Sequence, residues 1–108
     1  MTKIRLEVEI DGERAEARRA LSAAIDADVF QQSVSESDEV FVDSMSISDE
    51  AEVRRELTRF TVEVEIDGDR NAAAEAVDDA LDDGVLQDAI REQGDVTVES
   101  AVVVFEQR

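Results

Sequence analysis

The sequence predicts an α+β domain in which a β-α-β unit is written twice and folds into one four-stranded antiparallel sheet with its helices on a single face. Three observations predict it. Shifting the chain by 56 residues superposes 3–48 on 59–104 without a gap, and about 17 of 46 aligned pairs are identical. Within each copy, apolar residues first alternate with polar ones and then recur at helical spacing. The 108 residues contain no proline and no linker-like stretch, so the chain reads as one domain, 1–108; halves of about 50 residues would be marginal alone.

The first strand of each copy is a period-2 pattern. Ile4, Leu6, Val8 and Ile10 alternate with Arg5, Glu7, Glu9 and Asp11, and Phe60, Val62, Val64 and Ile66 repeat the arrangement. Asp11-Gly12 and Asp67-Gly68 then break the strand, because glycine tolerates positive φ and aspartate bonds nearby backbone amides. A helix follows, with Ala17, Ala20, Leu21, Ala24 and Ile25 on one stripe and Ala73, Ala76, Val77, Ala80 and Leu81 on its counterpart. The alanines predict a close approach of helix to sheet. Gly84 either ends the second helix or kinks it, with a further turn or two over Val85 to Arg91. A second strand closes each copy, roughly Val40 to Ile47 and Val96 to Phe105. Between the copies, residues 49–58 read as a short helix capped by Ser48, with Val53 and Leu57 four apart. An extended hairpin arm fits them nearly as well, although Val53 and Leu57 would then face away from Phe60 and Val62 unless a bulge intervenes.

Right-handed crossovers in two such units give the strand order 4-1-3-2, with the first strands of the copies central. In element order and length the chain resembles the ferredoxin-like superfold, a βαββαβ sandwich. That resemblance implies an architecture alone, since the fold hosts many unrelated functions.

Twenty-nine carboxylates against 11 cations leave a formal charge of −18. In dilute salt this charge works against compaction, whereas at about 1 M salt a Debye length near 3 Å hides most of it. Ten of the cations are arginine, which is weakly hydrated and pairs bidentately with carboxylates; Lys3 is the one lysine. In composition the chain resembles proteins of extremely halophilic archaea, which implies a habitat and no activity. Without histidine or cysteine there is no thiolate metal site, no disulfide and neither of the commonest catalytic groups. No enzymatic activity and no cofactor are expected. The absence of a long apolar run or a signal-like amino terminus predicts a cytoplasmic protein with no membrane association.

The uncovered sheet face is where association or binding is expected. Its centre should carry Glu7, Glu9, Glu63 and Glu65, with Arg5 at one end. Four such carboxylates could in principle converge on a hard cation, but their spacing is no recognised calcium loop, and no metal site is assigned. The same carboxylates would repel phosphates where this fold commonly stacks bases, so no nucleic-acid partner is expected. The flanks of that face are expected to carry Phe41, Met45 and Ile47 from one outer strand and Ala101, Val103 and Phe105 from the other. These six form the candidate interface. Val102 to Phe105 are consecutive apolar residues, so the last strand is apolar on both faces, which predicts a homo-oligomer, a dimer first of all. The alternative is a small-molecule-binding regulatory domain whose subunit-interface pocket uses polar groups such as Gln31, Gln87 or Arg14.

Overall fold

A strand whose apolar residues fall two apart can bury one face only, and the central strands of this chain do so. The computed structural model describes residues 2–36 and 40–104. In chain order the elements are β1 (Thr2–Asp11), α1 (Arg14–Asp26), α2 (Val29–Ser35), β2 (Phe41–Arg54), β3 (Leu57–Asp67), α3 (Arg70–Asp82), α4 (Val85–Gln93) and β4 (Thr97–Val104). The four strands form one antiparallel sheet in the order β2-β3-β1-β4, as the crossover argument requires. Ile4, Leu6, Val8 and Ile10 of β1 and Phe60, Val62, Val64 and Ile66 of β3 are buried beneath the helices.

Each crossover holds two helices, not one. The break falls at Asp28 (φ 67°) in the first crossover and Gly84 (φ 77°) in the second, positions 56 residues apart. A left-handed residue there turns the chain so that α2 and α4 fold back towards the sheet with Phe30, Val34, Leu86 and Ile90 buried. A side-chain amide braces each bend: Gln31 Nε2 donates to the Ile25 carbonyl at 2.9 Å, and Gln87 Nε2 to the Leu81 carbonyl at 3.1 Å. The small residues Ala17, Ala20 and Ala24 are fully buried, and α1 lies against α4 while α2 lies against α3.

Residues 49–58 are the hairpin arm and not a helix. β2 continues to Arg54, turns through Arg55 and Glu56 (φ 59°), and returns as β3; the Gly12 amide donates to the Glu56 carbonyl at 2.8 Å and ties the tip to the end of β1. The pairing tolerates Val53 because Val53 is itself an extra residue between Glu52↔Thr58 and Arg54↔Leu57.

Bulges also overturn the face assignment of the outer strands. Val42 pairs with Ile66 and Ser44 with Glu65, so Asp43 is an unpaired extra residue; Glu99 is its counterpart between Ser100↔Glu9 and Val98↔Ile10. Each insertion swaps inside for outside up to the next extra residue, which in β2 is Ser48. Met45 and Ile47 therefore lie beside Val64 and Val62 on the helix side, and Met45 belongs to the core. Ala101 and Val103 lie beside Val8 and Leu6 and pack against the same core. Of the six candidate interface residues, Phe41 keeps an exposed position (62 % exposed), four are turned inward, and Phe105 lies outside the described residues.

Candidate functional site

The register decides what the helix-free face of the sheet presents. From β1 come Lys3, Arg5, Glu7 and Glu9, and directly opposite them on β3 stand Glu65, Glu63, Thr61 and Arg59. Three of these four rows place opposite charges side by side. Lys3 Nζ is 3.7 Å from Glu63 and 4.0 Å from Glu65, Arg5 Nε is 3.4 Å from Glu63, and Arg59 Nη2 is 2.9 Å from Glu9 with its Nε 4.0 Å from Glu7. The four central glutamates are thus each drawn to a basic neighbour, because antiparallel pairing offsets them along the strands. Cross-strand pairs of this kind contribute about 0.2–1 kcal/mol each. Among the described residues, no group of three or more Asp or Glu side chains is arranged to hold a metal ion.

The two edges of the sheet differ sharply in charge. β2 carries Asp43, Asp49, Glu50, Glu52 and Arg54 and is interrupted by extra residues at Asp43, Ser48 and Val53. β4 is interrupted once, at Glu99, and its stretch from Ser100 to Val104 has no charged residue. On the open face β4 presents Ser100, Val102 and Val104 opposite Glu9, Glu7 and Arg5. Val102 is 51 % exposed, a branched apolar side chain left in water on a chain where 37 % of residues are charged. Sequence reasoning passed over Val102 as a facing residue because strict alternation put it inside. The inward residues run 96, 98, 101, 103, with a step of three at the bulge, but the unbroken apolar run from Ala101 to Phe105 hides that step in the sequence of this copy.

The polar groups expected to line a ligand pocket have partners within the chain. Arg14 Nε donates to Glu50 at 2.6 Å and Arg18 pairs with the same carboxylate, joining α1 to the hairpin arm; the hydrogen bond from Arg14, then that from Arg18, holds the Glu50 carboxyl below the usual range. Glu16 and Arg19, 2.5 Å apart, clasp the end of α4 through the Gln93 carbonyl and the Asp95 amide, and the Arg19 hydrogen bond lowers the Glu16 carboxyl. Gln31 and Gln87 brace the helix bends. Their Oε1 atoms are enclosed and meet no donor among the described residues. Gln31 also borders a cavity of about 130 Å³ with Asp28, Gln32, Ser35, Phe41 and Val42, between α2 and the β2 edge.

One antiparallel sheet in the order β2-β3-β1-β4, covered on one side by paired crossover helices, defines an α+β protein with the ferredoxin fold. No protein-family model matches the chain, and no curated protein matches it. Among solved structures, it is similar to a de novo designed protein with a ferredoxin fold, at 15 % identity and a TM-score of 0.56, over 98 % of this chain and 88 % of that one. It is similar at 19 % identity and a TM-score of 0.52 to part of the extracellular region of zebrafish Gpr126/Adgrg6, covering 94 % of this chain and 13 % of that one. A Burkholderia multivorans amidase of the hydantoinase/carbamoylase family aligns at 19 % identity and a TM-score of 0.47, over 95 % of this chain and 27 % of that one. At these identities the likeness concerns the fold alone.

Proposed function

We propose that this protein is a non-catalytic association domain, an accessory or scaffolding unit that works as a homo-oligomer, with the dimer favoured. The observation that carries the reading is the uncharged edge of β4 from Ser100 to Val104, with Val102 half in water. A regular, apolar edge strand is an open template for strand addition, and proteins that stay monomeric usually guard such edges with charge, bulges or a covering segment. β2 is guarded in this way, whereas among the described residues Ser100 to Val104 carries neither charge nor bulge and pairs with β1 alone. The setting we propose is a salt-rich cytoplasm, where a chain of charge −18 can approach another. The duplicated unit supplies the scaffold, and divergence between its copies supplies the surface: Ser46, Ile47 and Ser48 stand where the second copy has Val102, Val103 and Val104.

Sedimentation velocity in about 2 M KCl, where charge is screened, tests this. The wild type should sediment as a dimer, Val102→Glu as a monomer and Phe41→Glu as the wild type. A wild type that stays monomeric at every concentration overturns the proposal. A dimeric Val102→Glu removes β4 from it. Val102 suits this test better than Val103, whose inward position would mix loss of association with loss of folding.

A second reading is favoured by one observation, the enclosed Gln31 Oε1 beside the cavity under Phe41. There the protein would be a regulatory domain that binds a small polar molecule between α2 and the β2 edge. Thermal shift in the same salt against a metabolite panel separates the two. Stabilisation that disappears in Gln31→Ala would favour this second reading, and a flat panel counts against it.

A further inference from the structure

We infer that the β4 edge takes the β4 edge of a second copy, laid antiparallel about a twofold axis at Val102, so that two sheets join into one of eight strands. This rests on the reading of β4 as an association edge and specifies its partner and register. Charge selects the occupant. Each chain carries −18, so two copies repel each other least where neither presents carboxylates, and Ser100 to Val104 is an uncharged run on an edge strand that no other strand among the described residues covers. Val102 is the middle residue of this run. Antiparallel pairing centred there sets Val102 against itself, Ala101 against Val103 and Ser100 against Val104, with no charged residue in any of these rows.

Face polarity selects the direction. With the twofold axis perpendicular to the sheet, both helix layers stay on one side. Ala101 and Val103, already packed against one core, then meet their copies beside it and make the two cores continuous. On the open face Val102 meets its copy and Val104 meets Ser100 of the second copy, which removes from water the Val102 side chain that is 51 % exposed in the single chain. A parallel twofold pairing turns one sheet over and sets the helix side of one copy beside the open face of the other, where Arg5, Glu7 and Glu9 flank β4. The edge strand β2 cannot substitute, because its charges and three extra residues prevent a regular ladder.

Engineered single cysteines test the register, since the chain has no thiol of its own. Directly opposed residues in an antiparallel pair have Cα atoms about 4.5–5.5 Å apart, within disulfide reach, whereas residues four positions out of register are about 14 Å apart. Under mild oxidation in about 2 M KCl, Val102→Cys should crosslink to itself roughly tenfold faster than Ser100→Cys or Val104→Cys alone, and a mixture of those two should crosslink to each other. Circular dichroism of each variant confirms folding, and the same oxidation in denaturant sets the background rate. If sedimentation finds a dimer but Val102→Cys crosslinks no faster than background, this register is overturned while the association reading stands. If there is no dimer, both fall.

Discussion

Glu50 shows how a single residue can join two elements. It sits on the hairpin arm opposite Phe60, on the helix side, where Arg14 and Arg18 of α1 reach it. Because these partners lower its proton affinity, its contribution is complete at pH values above the unfolded carboxylate range, near 4.3, and is lost as pH falls through the lower folded value. In urea melts, Glu50→Gln should therefore cost up to about 1 kcal/mol at pH 7, with the gap to wild type closing as the pH falls below the ordinary carboxylate range. A gap that widens on acidification contradicts the assignment. Asp28 and Gly84 give a second residue-level case. Both are left-handed, but only glycine adopts that conformation without strain. Asp28→Gly should raise the melting temperature by a few degrees, corresponding to about 0.5 kcal/mol, and Gly84→Ala should lower it although nothing lies within 4 Å of the added methyl.

At the scale of the elements, the sheet order and the buried faces of β1 and β3 were legible because strict alternation leaves one register. The outer strands were misread because alternation was carried through positions where the chain has an extra residue. The inward residues Val40, Val42, Met45 and Ile47 are spaced two, three and two, and the second copy has the same step at Glu99, but outward apolar residues, Phe41 in one copy and Val102 and Val104 in the other, blur the step in the sequence. The hairpin arm was harder to read. Val53 and Leu57 four apart imitate a helix, and the decisive partner, Thr58 to Phe60 on the returning strand, is a tertiary feature that local spacing does not carry. Met45→Ala checks the corrected face: it should cost about 2 kcal/mol or more as a core truncation, and a near-neutral effect would return Met45 to the open face.

At the scale of the whole molecule, charge sets the conditions under which the fold and any assembly persist. The open face neutralises itself in cross-strand rows, but 29 carboxylates against 11 cations leave repulsion that contacts inside one chain do not remove. The unfolding midpoint should climb as KCl rises from about 0.1 to 2 M, and a midpoint indifferent to salt contradicts this account. From the sequence, self-association is an expectation placed on the outer strands, but the β4 residues chosen for it face inward, since the choice between Val102 and Val103 depends on a bulge three residues away. Residue-resolved amide hydrogen exchange across Ser100 to Val104 at high protein concentration tests the pairing most directly. In a single chain, alternate amides of an edge strand point to solvent and exchange fast; paired to a second copy, all five should be protected, and dilution should release the outward set. Fast exchange of alternate amides at every concentration would contradict the claim that this edge is an interface.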